Sequence, residues 1–203
     1  MTRIIAGLAG GRRLAVPSGQ STRPTSDRAR EALFSSLEVL LRETGREGLA
    51  GTAVLDLYAG SGAVGLEALS RGAARVVLVE SDARALAVLR ANAAALGMAG
   101  AQVVGAAVAR ALARPAPCAF DAVFADPPYA VPDAEVAGAL SAALAGGWLA
   151  PDAVAVVERS ARGGEFGWPP GFGPARFRRY GEAVLWYGRA GQFSEPRTDE
   201  QGV

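Results

Sequence analysis

The chain has 203 residues, 50% of them apolar and 20% charged, with a net charge of +1. That is room for one domain of ordinary size whose core needs no disulfide or metal, and no apolar run reaches the ~18 residues that span a membrane. There is no His and a single Cys, Cys118, and all 21 basic residues are Arg, which excludes Ser-His-Asp and Cys-His catalysis, Cys/His zinc sites, internal disulfides, Lys Schiff bases and the P-loop Lys.

In chain order, the first segment breaks into Gly and Arg before a signal-peptide apolar region forms, so the expectation is a cytoplasmic protein. Residues 3–8 and 12–16 flank Ala9-Gly10-Gly11 and predict a small β-hairpin. Residues 1–30 hold Arg3, Arg12, Arg13, Arg23, Arg28 and Arg30 against Asp27 alone, a local charge of +5. Arg suits bidentate phosphate contacts, so a nucleic-acid partner fits this segment; a solvated basic surface fits it too. A smaller basic group recurs at Arg176, Arg178 and Arg179. A helix is expected over 28–42, capped by Thr25 or Ser26 and closed by Gly45 and Gly48. Strands follow at 53–57, 75–80, 102–104, 121–125, 153–158 and 183–188, with helices at 64–70, 83–96, 107–113 and 134–145. Such alternation means a mostly parallel sheet with helices on both faces, and apolar strands fit burial on both sides. The polar stretch 192–203 reads as disordered. Three regions result: a basic hairpin-and-helix extension at 1–48, a core at 49–190 and a tail at 191–203.

The first core strand runs into Asp56-Leu57-Tyr58-Ala59-Gly60-Ser61-Gly62-Ala63-Val64-Gly65. Gly60, Gly62 and Gly65 satisfy G-x-G-x-x-G between a strand and a helix. Glu80 closes the next strand 20 residues after Gly60, which completes a dinucleotide fingerprint and keeps an NAD enzyme in view. Asp56 favours another ligand, because a carboxylate at the strand end repels a pyrophosphate and accepts a hydrogen bond from an ammonium. S-Adenosylmethionine has that ammonium and no phosphate. Asp56, Tyr58, Gly60, Ser61, Gly62 and Glu80 are then the cofactor-binding candidates, with Glu80 taking both ribose hydroxyls and the glycines admitting close backbone approach. A ligand-free tight turn is the plain alternative.

After the fourth core strand stands Asp126-Pro127-Pro128-Tyr129, which an open parallel sheet places beside the glycine loop. An exocyclic amine on a base is a poor nucleophile because its lone pair is delocalised into the ring. If Asp126 and the Pro127 carbonyl accept its two N–H bonds, the nitrogen is drawn toward tetrahedral geometry and its lone pair turns to the methyl donor. The prolines fix the direction of that carbonyl, and Tyr129 offers a face on which an extruded base stacks. Asp126, Pro127 and Tyr129 are the catalytic candidates, against a merely Pro-stiffened turn. Pro117-Cys118 resembles the nucleophile of 5-methylcytosine enzymes, but Cys118 precedes its strand and belongs at the opposite sheet edge. No metal is expected.

These stretches, with Glu67-Ala68-Leu69-Ser70-Arg71-Gly72-Ala73, Gly11-Arg12-Arg13-Leu14 and the run from Arg23-Pro24-Thr25 to Ala32-Leu33-Phe34, resemble the bacterial 16S rRNA (guanine-N2)-methyltransferases of the class I, D-P-P-Y type (RsmD family). The resemblance spans roughly residues 3–188. It implies a Rossmann-like class I methyltransferase fold with a seven-stranded sheet and an N-terminal hairpin/helix extension. It also implies methyl transfer from S-adenosylmethionine to a guanine N2 in 16S rRNA, naked or within a ribosomal subunit or assembly intermediate, with the basic hairpin holding RNA. Many relatives carry Asp or Asn after the third core strand for the adenine edge, where this chain reads Gly105-Ala106-Ala107. An adenine-N6 methyltransferase, an NAD-dependent oxidoreductase and a non-catalytic RNA-binding module are the alternatives.

Overall fold

The computed structural model describes residues 2–17 and 27–191. The expected caps Thr25 and Ser26, the candidate Arg23 and the stretch 192–203 lie outside those residues. At the N-terminus β1 (Thr2–Arg3) and β2 (Arg13–Leu14) pair antiparallel, Thr2 opposite Leu14 and Arg3 opposite Arg13. The paired strands are far shorter than the 3–8 and 12–16 expected, because the intervening backbone bonds elsewhere. Ile5 and Ala6 N–H donate to the Glu67 carboxylate at 2.6 and 3.0 Å, Ala9 N–H donates to Ser70 Oγ at 2.9 Å, and Leu8 N–H to the Ser70 carbonyl at 2.8 Å. Gly7 sits at φ +79 with a hypothetical Cβ only 1.8 Å from the Ser70 carbonyl oxygen, so no larger side chain lets the segment lie this close.

Helix α1 (Asp27–Glu43) buries Leu33, Phe34, Leu37, Leu40 and Leu41, a helical apolar stripe that must face a core. The main sheet is built from β3 (Ala53–Leu57), β4 (Arg75–Glu80), β5 (Ala101–Gly105), β6 (Phe120–Ala125), β7 (Leu149–Ser160), β8 (Phe172–Tyr180) and β9 (Ala183–Ala190), in the spatial order β5-β4-β3-β6-β7-β9-β8. The first five pair in parallel, whereas β9 runs antiparallel to both β7 and β8. Between the strands lie α2 (Ala63–Ser70), α3 (Ala83–Leu96), α4 (Val108–Leu112) and α5 (Asp133–Ala145).

Alternate strand residues serve two cores, one shared with α1, α2 and α3 (Val54, Val76, Leu78, Phe124, Val156) and one with α4 and α5 (Leu55, Leu57, Val77, Val79, Val123, Val157). Each fully buried Leu, Val or Phe contributes roughly 1.5–3 kcal/mol. Strand β8 has no counterpart among the six read directly from the sequence, although the family resemblance implied seven. Its Gly173-Pro174 and arginines weaken the β signal, and Pro is tolerated because this is an edge strand. Successive crossovers run outward from β3 to β5 and then return to β6 on the other side of β3. The crevice over the carboxyl ends of β3 and β6 is therefore the place where an open α/β sheet holds ligands. Among the described residues no helix is long and apolar enough to cross a membrane.

Candidate active site

The glycine loop is clamped by the protein's own hydrogen bonds. Beyond β3, Tyr58 adopts φ +68, unusual for an aromatic residue, and Gly60 and Gly62 follow at +55 and +85. Ala59 N–H donates to the Val79 carbonyl at 2.9 Å. Glu80 Oε2 accepts from Gly60 N–H at 2.8 Å while its Oε1 accepts from Asp82 N–H at 2.7 Å. Each oxygen keeps acceptor capacity for a further donor. The three glycines serve different ends. A Cβ on Gly62 lands 2.4 Å from Leu89 Cδ1 and one on Gly65 lands 2.7 Å from Leu78 Cδ2, so those two are small for packing; a Cβ on Gly60 meets nothing within 4 Å.

Asp56 lies on β3 facing α2, 1% exposed. Its Oδ2 accepts from Gly65 N–H at 2.9 Å, and its Oδ1 is buried without a hydrogen-bond partner among the described residues. Burial raises its pKa to about 7, the Gly65 N–H opposing and the Glu80 charge adding to the rise. A buried acceptor in need of a donor beside an open glycine is chemistry that fits the ammonium of S-adenosylmethionine, and the two half-used Glu80 oxygens fit a pair of hydroxyls.

Asp126-Pro127-Pro128-Tyr129 leaves the end of β6, next to β3. Pro127 is buried, and Tyr129 is exposed. The loop turns through a Val131 N–H to Pro128 carbonyl bond of 2.9 Å. Arg159 on β7 then grips it, with Nη2 donating to the Val131 carbonyl at 2.7 Å and Nε paired to Asp133 at 2.7 Å. The Asp126 pKa stands well above the ordinary carboxylate range, first through burial and then through the Glu158 and Asp56 charges, with Arg159 opposing. The Tyr58 pKa is also raised by burial and by the Glu135 charge, with Arg159 again opposing. Asp56, Tyr58, Asp126 and Arg159 thus gather at the carboxyl ends of the neighbouring strands β3, β6 and β7, and the sequence reading names the first three as candidates. It did not single out Glu158 or Arg159, because charges ending an apolar strand read simply as its boundary. Cys118 sits just before β6, at the amino end of that strand, far from this edge.

The N-terminal arginines divide. Arg13 and Arg28 are exposed. Arg3 is exposed and pairs with Asp27 at 2.9 Å, and Arg12 Nη2 donates to the Ala95 carbonyl at 2.6 Å. Arg30 does not lie on the basic face expected for it: it is 1% exposed, with Nη2 donating to the Arg3 carbonyl and Asp27, both at 2.8 Å. It is an interior strut between α1 and β1. The extension meets the cofactor side through Asn92 on α3, which exchanges two bonds with the Ala15 backbone and donates to the Ser61 carbonyl at 2.9 Å. The helix stretch from Glu67 to Arg71 is the other joint: Glu67, 0% exposed, also takes Arg71 Nε at 2.7 Å, and Arg71 lies over the Phe34 ring at 4.8 Å. Polar residues on an otherwise apolar helix were the available signal for both.

A family model described as conserved hypothetical protein 95 matches residues 2–189. The chain is 38% identical over 166 residues to the ribosomal RNA small subunit methyltransferase D of Escherichia coli strain K12, covering 80% of this chain and 76% of that protein. It is 37% identical over 159 residues to the protein of that name from Haemophilus influenzae, covering 77% of each. A solved Escherichia coli chain described as a candidate methyltransferase, yhhF, aligns with a TM-score of 0.80 at 32% identity, covering 94% of this chain and 98% of that one. The chain has the class I methyltransferase fold and belongs to the family described as conserved hypothetical protein 95.

Proposed function

We propose that this chain transfers the methyl group of S-adenosylmethionine to the exocyclic N2 amine of one guanine in 16S ribosomal RNA, naked or within a small-subunit assembly. The observation that carries the reading is the crevice over β3 and β6, where a buried Asp56 oxygen without a partner among the described residues and the Asp126-Pro127-Pro128-Tyr129 loop stand on adjacent strands. The names of the relatives support the rRNA substrate.

S-Adenosylmethionine, when bound, supplies an electrophilic methyl group. Asp56 accepts from its ammonium, Glu80 from its ribose, and the backbone around Gly60 borders it, with Tyr58 and Ser61 at the flanks. Asp126 and the Pro127 carbonyl accept the two amine hydrogens of the guanine, and Tyr129 stacks on the extruded base, which is worth ~1–3 kcal/mol. Asp126 does not deprotonate the amine beforehand, since an aniline-like N–H is far too weak an acid. It takes the proton after attack, when the nitrogen is cationic, and a carboxylate held above its ordinary pKa is better matched to that task. Arg3, Arg12, Arg13 and Arg28, with Arg23 in the same stretch, supply phosphate contacts from the 1–48 extension, packed on a catalytic core at 49–190.

The test is mass spectrometry of 16S rRNA nucleosides from strains with and without this protein, with primer extension to map the position. Loss of one N2-methylguanosine is expected, and an unchanged nucleoside profile contradicts the reading. Calorimetric titration with S-adenosylmethionine and NAD separates the oxidoreductase alternative.

A further inference from the structure

We propose that the edge hairpin of β8 and β9 is a second RNA-contacting surface, where the ring of Phe177 stacks on a base near the target guanine and Arg178 and Arg179 hold phosphates of the same strand. The inference rests on the rRNA reading and names where nucleotides flanking the target lie. The basic group at Arg176, Arg178 and Arg179 has no part in the site described so far.

Strand register leads from the catalytic loop to this hairpin. Val157 on β7 stands opposite Trp186 on β9, and Trp186 opposite Phe177 on β8. Two residues further on, Arg159, Val184 and Arg179 form a second row on the same sheet face, its two arginines ~10 Å apart at the ~4.8 Å spacing of neighbouring strands. That face is the one covered by α4 and α5, against whose core Val157 and Trp186 pack. Arg159 grips Val131 and Asp133 just beyond the Asp126-Pro127-Pro128-Tyr129 loop, so one row runs from the loop that receives the base out to the free edge of the sheet. Arg178 belongs to the opposite face, in the row of Leu185. Its Nη1 turns back to the Phe177 carbonyl at 3.2 Å, which keeps the guanidinium at the edge beside Phe177.

The chemistry of the edge selects RNA. Strand β8 carries three arginines and no acidic residue. Arg176 is half-buried and bonds Glu43 at 3.2 Å. Arg178 and Arg179 are exposed, and their bonds to the neutral carbonyls of Phe177 and Ala161, at 3.2 and 2.6 Å, orient a guanidinium without neutralising it. Arginines alone would serve to deter edge-to-edge pairing, but an exposed aromatic ring does not. Phe177 is 57% exposed, with its ring 5.1 Å from that of Trp186 and inclined at 35°. A ring left in water, supported by a second ring and flanked by cations, is the combination that holds single-stranded nucleic acid. A protein partner calls for a wider apolar patch, whereas among the described residues Phe177 is the one large apolar side chain exposed on β8 and β9.

The experiment uses the full chain and 16S rRNA from a strain lacking this protein, naked and as small subunits. In the form that is methylated, Phe177→Ala should raise the KM for RNA roughly tenfold, the loss of one base stack, with kcat, cofactor affinity and thermal midpoint kept. Phe177→Trp, which still stacks, should keep the wild-type KM. Arg178→Gln combined with Arg179→Gln should reduce the salt slope of RNA binding by about 2. An unchanged KM in Phe177→Ala, an equal rise in Phe177→Trp, or an unchanged slope in the arginine pair overturns the assignment. With the photoreactive p-benzoylphenylalanine at position 177, an adduct to RNA is expected. An adduct to a ribosomal protein or to a second copy of the chain, or no adduct, overturns the assignment as well. No methylation of guanine by the wild type in either RNA form contradicts the underlying function instead.

Discussion

The two halves of the crevice are built on opposite plans. On the β3/β4 side the glycine loop is fastened from every direction, by Glu80 to Gly60, by Val79 to Ala59, by Asp56 to Gly65 and by Asn92 to Ser61. On the β6/β7 side half-buried Asp126 follows β6 next in register to buried Glu158, Tyr129 projects outward, and one buried Arg159 nitrogen has no partner among the described residues. The first half is held in place by the protein's own hydrogen bonds, whereas the second gathers charged side chains at the ends of neighbouring strands. A cofactor used every cycle suits a preformed cradle. A base drawn from a folded RNA suits a site that presents a charged acceptor where the amine hydrogens arrive.

The largest effect should come from the charged half. Asp126→Ala should lower the single-turnover rate by roughly 10²–10⁴-fold at saturating cofactor, and Asp126→Asn somewhat less, because a neutral acceptor bonds about half as strongly. Cofactor affinity should barely move in either. The ionised form is the one that accepts the amine hydrogens, so the wild-type rate should fall as pH drops through the raised Asp126 pKa, at a pH above the ordinary carboxylate range. A limb near pH 4 would erase the distinction between the two halves.

Asp56 is the one stored charge on the otherwise satisfied side. Its folded pKa of about 7 lies above the ordinary value of an aspartate, roughly 3.9, so the folded chain holds this proton more tightly than the unfolded chain. Stability should therefore decline as pH rises from about 4 to about 7, by on the order of 4 kcal/mol if this group dominates. Asp56→Asn should flatten that decline in cofactor-free thermal melts. Cofactor binding to the wild type near pH 6.5 should release protons, read by calorimetry in buffers of different ionisation enthalpy.

Glu80→Ala removes both the ribose acceptors and the tether on Gly60 and Asp82. Calorimetric affinity for S-adenosylmethionine should fall roughly 10- to 100-fold, and a folded variant with wild-type affinity removes Glu80 from the cradle. The smallest effect concerns the extension. Arg12 and Arg13 replaced together should reduce the salt slope of RNA binding by about 2 with cofactor binding intact. Arg30→Ala should instead act through stability, lowering the thermal midpoint, as expected for a buried strut.

Much of this was legible from residue patterns, and the gaps have physical causes. Strands of five or six mostly apolar residues and the loops that follow β3 and β6 announce themselves because burial on both faces and backbone geometry leave few residue choices. The edge strand β8 does not, since Pro174 and its exposed arginines satisfy an edge without looking like a strand. The hairpin ladder was overestimated because Glu67 and Ser70, more than 50 residues away, satisfy the backbone of residues 5–9, and a local pattern cannot reveal a distant acceptor. Arg30 reads as surface charge by its residue type, yet it falls at the i position of a stripe continued by Leu33, Phe34 and Leu37. Its spacing carried the answer that its charge obscured.

The most direct test of the account is label transfer in vitro. Purified protein, S-adenosylmethionine labelled in the methyl group, and small-subunit rRNA from a strain lacking this protein are combined, and the digested nucleosides are resolved by mass spectrometry. The account predicts label in N2-methylguanosine, stoichiometric with one site, and nearly none with Asp126→Ala. Label in N6-methyladenosine, or undiminished N2-methylguanosine with Asp126→Ala, contradicts it.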